Sequence, residues 1–311
     1  VVDSLRPGKK YYKTKGNTYV RVDGTIDVKE DMKVYGSGQA ETNSPLSVSE
    51  IYKMNNGKTY IVDGAVMGAQ KTVVGTLSDI DDFSEFARII QYAGAVRLKN
   101  SKDGWLSVST DANTGNLLVI KEYGGVGAED IPTGKKKGDT KVTYLLNNYH
   151  YTIYAPTNAA MEKAYAMGLP RPEEIDELEY EKEMAGETGA DVDEIQQKID
   201  YKKEAMLDFV KYHIQDNAIF VDEGFSTGNY DSAKTELIPA SEDEESGTAA
   251  GEKWTPGRPY KIRVSSVSAS GMEVVDNIGE THKVLPQYSN IMAREYWINT
   301  ASEIKTPETV E

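Results

Sequence analysis

The chain predicts an α+β fold: a twisted antiparallel β-core with helices packed on one side, elaborated by insertions. Three observations carry that expectation. Apolar and polar residues alternate through much of 10–69 and again in PYKIRVSSV and GMEVVDNIG near the C-terminus. Helical spacing governs FSEFARIIQYAGAV and the segment that ends in KYHI at Lys211–Ile214. Between them YTIYAPTNAAM, Tyr151–Met161, turns a strand sharply into a capped helix.

Composition narrows the classes. At 311 residues the chain is one large or two ordinary domains. Its 39% hydrophobic and 27% charged residues fit a soluble globular protein. A net charge of −15 argues against a nucleic-acid partner, which needs a basic face. The basic run Lys135–Lys137, flanked by Gly134 and Gly138, is expected to be a solvated turn. With no cysteine, disulfides, thiolate metal sites and cysteine nucleophiles are excluded. No apolar run approaches the roughly 18 residues of a membrane span, so no transmembrane segment is expected. The chain starts at Val1 without a signal peptide, as a mature or trimmed form would.

In chain order, residues 10–69 are expected to be strands and turns. NTYVRVDG alternates, a glycine-rich turn follows at Gly36–Gly38, and Asn56-Gly57 supplies the positive φ angles of a hairpin turn. Asp82 with Glu85 makes a capping-box pattern for a helix whose Phe83, Phe86, Ala87 and Ile90 share one face up to Gly94. WLSVSTDANTGNLLVIKEY is an expected hairpin. In Tyr151–Met161, Tyr151, Ile153 and Ala155 alternate with Thr152 and Tyr154, and Pro156 ends the strand. Thr157 or Asn158 then caps a helix that Gly168 and Pro170 stop. Residues 173–197 are acidic and expected to be helical. Ile199, Met206, Val210 and Ile214 line the helix that His213 closes, where the helix dipole would favour a protonated imidazole. ASEDEESGTAAGEK, 240–253, is low-complexity and expected to be a mobile loop.

The order of these motifs resembles the fasciclin domain. That family's first block reads roughly T-x-F-A-P-T-N-x-A-F, matched here by Thr152, Ala155, Pro156, Thr157, Asn158, Ala160 and Met161. Its middle block carries the Tyr-His pair, here Tyr212 and His213. Tyr154 stands where the family has Phe, and Met161 where it has a final aromatic. NNGKTYIVDGAVM resembles the family's closing block, and FSEFARIIQYAGAV its opening helix. The resemblance therefore implies the C-terminal half of a first unit in 1–70. A second unit follows in 71–301, with insertions near 97–148, 173–197 and 240–253. In QYSNIMAREYWINT only Asn290 answers to the closing block, whose Gly-Val and Asp-x-Val-Leu pattern is missing.

What the resemblance implies is the fasciclin β-wedge and a non-enzymatic role in cell-surface adhesion or binding, with a surface protein or glycan as partner and no cofactor. In animal fasciclin proteins the Tyr-His region is implicated in receptor recognition. The reading favoured for Tyr212 and His213 is structural, a hydrogen-bonded pair that holds helix to sheet. The style of the motifs looks like exported fasciclin proteins of gut-type Bacteroidota, commonly outer-membrane lipoproteins. Any lipid anchor here would lie upstream of Val1. Asp231–Ala233 also fits that group's short O-glycosylation pattern. The alternative is an accessory subunit of an outer-membrane glycan or peptide importer, with the transporter as partner.

Other chemistry is weaker. GFSTG at Gly224–Gly228, with Asp276 and His282 following, has the chain order of a hydrolase triad, so a serine hydrolase using Ser226 is a further alternative. A nucleophile elbow needs a helix directly after it, and Asn229, Tyr230 and Asp231 look like turn residues. Asp111, Asn113 and Glu122 mimic an EF-hand loop with Gly115 and Asn116 in the wrong order, so a hairpin turn is preferred to calcium. Asp79, Asp81, Asp82 and Glu85 are expected to be charge at a helix start. His150, His213 and His282 are too scattered to suggest a metal site. Gly124 opens GGVGAED, which lacks the third glycine of a dinucleotide loop. Twenty tyrosines against five phenylalanines suit a half-wet binding surface and a β-core equally.

Overall fold

The computed structural model describes residues 5–14, 18–69, 73–93, 108–110, 117–119, 151–223, 227–239, 254–268, 271–293 and 297–298. It is mixed α+β, organised on two antiparallel sheets. The boundary expected near residue 70 falls at 70–72, outside the described residues. So do the loop 240–253, Lys135–Lys137, His150 and the Asp111, Asn113, Glu122 and Gly124 segments.

The first sheet is a five-stranded meander in chain order: β1 (Tyr11–Lys13), β2 (Tyr19–Asp23), β3 (Lys33–Gly36), β4 (Leu46–Met54) and β5 (Gly57–Val62). Strand alternation works as expected in β2, where Val20 and Val22 are buried and Tyr19, Arg21 and Asp23 are half-buried. Those valines pack with Tyr12, Met32, Val34 and Val48 into one core. Tyr12 is fully buried, and its hydroxyl is satisfied by donating to the Lys9 carbonyl at 2.8 Å.

Two local expectations change. The β4–β5 hairpin turns on Asn55–Asn56, with Met54 facing Gly57, and the positive φ falls on Gly57 alone, at 156°. Gly36–Gly38 does not simply turn: a short helix α1 (Ser37–Thr42) starts there. Glycine is required for close approach, because a Cβ on Gly36 would lie 2.1 Å from the Met67 carbonyl oxygen. Gln39 straps the same segment, donating to the Ala65 carbonyl and accepting from the Met67 amide.

The second part begins with α2 (Val73–Ser78), a 3-10 turn at Asp81–Phe83, and α3 (Ser84–Tyr92). The expected hairpin forms β6 (Val108–Thr110) and β7 (Leu117–Val119), antiparallel, and β14 (Trp297–Ile298) runs parallel to β7. Then come β8 (Tyr151–Ile153), α4 (Asn158–Ala166), α5 (Pro172–Thr188), α6 (Val192–Tyr212) and β9 (Ile214–Asp216). The chain continues through β10 (Gly228–Pro239), β11 (Trp254–Ser268), β12 (Gly271–Val275) and β13 (Thr281–Val284). The sheet order is β13-β12-β11-β10-β9-β8, antiparallel throughout.

The helices cover this sheet through Phe86, Ile89, Ile90, Met161, Ile199 and Met206, all buried. Burying side chains of that size stabilises by roughly 1.5–3 kcal/mol each relative to leaving them exposed. α4 ends as expected: Gly168 has φ 105°, its amide reaches the Tyr165 carbonyl, and the Leu169 amide reaches Ala164. The acidic insertion is helical, but Gly189 at φ 75° splits it into α5 and α6 before Asp191 caps α6. Ile214, expected inside α6, instead opens β9, where it pairs with Ile153. Its burial is satisfied by the sheet, and the helix yields to it.

The two sheets meet at a third contact. Tyr11 stacks on Phe220 with ring centroids 3.7 Å apart, and Lys10 pairs with Asp222 at 2.9 Å. Glu223 Oε1 accepts the amides of both Lys10 and Tyr11, each at 2.8 Å. The O-glycosylation expected at Asp231–Ala233 meets an obstacle here. Ser232 lies in β10, 5% exposed, with its hydroxyl turned to the Lys234 carbonyl, so a transferase has no access to it in the folded sheet.

Candidate functional site

The capped turn is a clasp made of three side chains. Thr152 Oγ1 donates to the Asn217 carbonyl at 2.9 Å and accepts from the Ile219 amide at 3.0 Å, fixing the loop after β9. Thr157 caps its own helix, accepting from the Ala160 amide at 3.3 Å. Asn158 caps a different one: its Oδ1 accepts from the Glu85 amide at 3.0 Å, and its Nδ2 donates to the Asp81 carbonyl at 2.7 Å and to Ser84 Oγ at 3.0 Å. The capping box expected from Asp82 and Glu85 is displaced by this bond. Asp82 accepts from the Tyr288 hydroxyl, while Glu85 holds Arg88 and the Tyr165 hydroxyl. Ala155 and Pro156 are half-buried beside the clasp.

Tyr212 and His213 close α6, with their rings edge to face and centroids 6.2 Å apart. The Tyr212 hydroxyl accepts from the Asn277 amide at 2.7 Å. His213 Nδ1 meets the Phe209 carbonyl oxygen at 2.8 Å, which only an N–H can do, so the proton sits on Nδ1 and Nε2 is an acceptor. The His213 carbonyl also receives the Tyr154 amide at 3.0 Å, tying helix end to clasp. The ring lies against Phe209 and Phe86, with centroids 4.3 and 5.4 Å away. The expected imidazolium is therefore corrected. Burial above all, with a smaller push from His282 and against the bond to Phe209, brings the pKa down to about 4. A helix C-terminus is worth only about 0.3–1 kcal/mol, less than one pKa unit, so desolvation wins.

His213 also stands in the wall of a cavity of about 1140 Å³. That contact explains how a ring so deeply surrounded stays only half-buried by surface area: what reaches it is the cavity. The walls come from both sheets and the helices between them. Leu77, Phe83, Ile153, Phe209, Ile262 and Val274 give them their apolar character. One end carries the β12–β13 hairpin, where Asp276 Oδ1 accepts the amides of Ile278 and Glu280 at 3.0 and 2.9 Å. Asp276 Oδ2 faces His282 Nε2 at 2.9 Å. Partial burial alone would raise the Asp276 carboxyl, but these bonds outweigh it and hold the pKa below the ordinary range.

Asp276, Glu280 and His282 each bring a ligand atom within 4.8 Å of the others. The scattered histidines gave no hint of this, because the partners are carboxylates of one hairpin. One imidazole and two carboxylates could hold a divalent ion at an open surface position, although Asp276 Oδ1 is already engaged. Ser226 of the hydrolase arrangement lies outside the described residues, and Gly228 starts β10, a strand where a nucleophile elbow requires a helix.

Asn290, placed by resemblance, has φ 59° and ties down the segment whose Asp222 pairs with Lys10. Its Oδ1 accepts the Val221 amide at 2.8 Å, and its Nδ2 donates to Asp222 at 2.9 Å. The cavity itself had no sequence signal, since its walls come from segments far apart in the chain.

The fold thus defines a mixed α+β protein with an apolar cavity and a polar rim. No family model matches the chain, and no curated protein matches it. Among the described residues no helix is long and apolar enough to cross a membrane.

Proposed function

We propose that the chain is a fasciclin-type binding protein, exported to the cell surface, that engages a surface protein or glycan without catalysis. The observation that carries this reading is the clasp. Of the residues that bear the resemblance, Thr152 and Asn158 bond to other segments of the chain and Thr157 caps its own helix, as a scaffold block should. The β-wedge of that family is the finer fold proposed with it. A block so engaged internally leaves recognition to the elaborations around it. α5 and α6 offer the largest described one, with Glu177, Glu181 and Glu183 exposed and Tyr180 and Tyr201 standing 65% and 77% exposed beside them.

The test is capture of partners by the immobilised chain from intact cell surfaces and from detergent-solubilised outer membranes. A surface protein or glycan retained by the native chain, and lost with Glu177→Lys, Glu181→Lys and Glu183→Lys together, supports the reading. A membrane barrel protein as the retained partner turns it to the importer accessory. Ester turnover abolished by Ser226→Ala overturns it.

A further inference from the structure

The cavity offers a ligand site distinct from the acidic surface of α5 and α6, because its lining is largely apolar even where it opens to solvent. We propose that it takes a neutral, largely apolar molecule carrying one hydroxyl, with that hydroxyl donating to His213 Nε2.

Size and lining point to an apolar body. At about 1140 Å³ the cavity slightly exceeds the span of roughly 300–1,000 Å³ common for small-molecule sites. It reaches from Leu77 and Phe83 on the helical side to Ile262, Met272 and Val274 on the sheet. Several polar side chains in its walls are already occupied. Thr152 bridges Asn217 and Ile219, Tyr154 donates to Gln215 at 2.8 Å, Tyr288 donates to Asp82, and Asn290 uses both ends of its amide.

His213 presents an acceptor to the cavity. Its Nδ1–H is tied back to Phe209, so the only free function is the Nε2 lone pair, which has no hydrogen-bonding partner among the described residues. A lone pair needs a donor. A hydrocarbon would fill the walls but leave it unpaired, whereas a hydroxyl satisfies it.

A carboxylate is the wrong head for this site. The titratable groups of the wall other than His213 and the tyrosines, namely Asp276, Glu280, His282 and Lys283, all lie on the hairpin, and Asp276 bonds to His282. Beside His213 there are instead the rings of Phe209, Phe86 and Tyr212, and among the described residues of the wall no lysine or arginine lies against it to receive an anion. The imidazole cannot supply that charge near neutral pH, since burial holds it in the neutral form. A long-chain alcohol, or the hydroxyl end of a neutral lipid, meets these demands together.

The experiment uses the full chain and three probes of equal length: 1-decanol, decane and decanoate, each competing with Nile red at pH 8. The expected result is displacement by decanol about threefold to tenfold tighter than by decane, the factor of one hydrogen bond, with decanoate weakest. Ile219→Trp, which puts bulk into the cavity from its half-buried wall, should remove all displacement while the melting curve stays cooperative. His213→Phe should bring decanol down to decane and leave decane unchanged. Equal affinity of decanol and decane for the native chain overturns the proposal. So does tightest binding of decanoate, or no displacement by any probe. Should His213→Phe fail to fold, the three probes on the native chain still decide.

Discussion

The clasp at 152–158 and the hairpin at 276–282 draw on similar polar residues and use them in opposite ways. In the clasp Thr157 caps its own helix, while Thr152 reaches across the fold to 217–219 and Asn158 to 81–85. In the hairpin the side-chain bonds are local, with Asp276 serving residues two, four and six positions on and Glu280 and His282 left exposed, while the Asn277 amide reaches the Tyr212 hydroxyl. Long-range bonds make architecture, and they are costly to lose. Local bonds at an exposed tip shape a rim whose groups stay accessible. The difference separates the residues that define the fold from those near which a ligand can act.

Four substitutions would break or sharpen that contrast. Asn158→Ala removes three bonds and leaves the Glu85 amide without its cap, so it should cost about 2–3 kcal/mol in urea unfolding. A loss below about 1 kcal/mol would deny the clasp its role. Thr152→Val keeps the shape but removes a bridge between two backbone groups, with an expected loss of about 1–2 kcal/mol in the same assay. His213→Phe should act through pH. The folded imidazole titrates near 4 and the unfolded one near 6.5, so the unfolded state binds more protons between those values. The stability this group contributes is present above about pH 6.5 and is lost as pH falls toward 4. The phenylalanine variant should therefore show a flatter melting profile across that window. An unchanged slope would mean that the ring is not buried as described. His282→Gln, at the exposed hairpin, should change stability by less than about 1 kcal/mol. A larger loss would place the rim among the architectural elements.

How much of this was legible follows the same division. The alternation in β2, the stop at Gly168 and the acidic helices are local, and local pattern sufficed to expect them. The sequence offered Thr157 or Asn158 as a cap. Only the folded chain divides the work, because the partner of Asn158 lies 73 residues away. The Asp82–Glu85 box failed for a related reason: Tyr288 and Tyr165 reach those carboxylates from distant segments and override the local pairing. Ile214 was assigned to the helix by spacing that a buried strand satisfies equally well. The cavity was not legible at all, since a void is a property of what surrounds it and leaves no pattern in any one segment. The resemblance singled out His213, but its free Nε2 follows from the bond to Phe209 and from the neighbouring rings.

The pair of hydrogen bonds accepted by Glu223 has a kinetic consequence. It joins Lys10 and Tyr11 to a carboxylate 213 and 212 residues away, while the first sheet is a meander of neighbours. Contacts of such separation carry the largest loop-closure entropy and are expected to form last, after each sheet has assembled locally. Hydrogen exchange would then find the Lys10 and Tyr11 amides opening at lower free energy than the cores on either side. The seam beside the cavity would thus be the last part of the chain to close and the first to open, giving a molecule from outside an interval in which to enter.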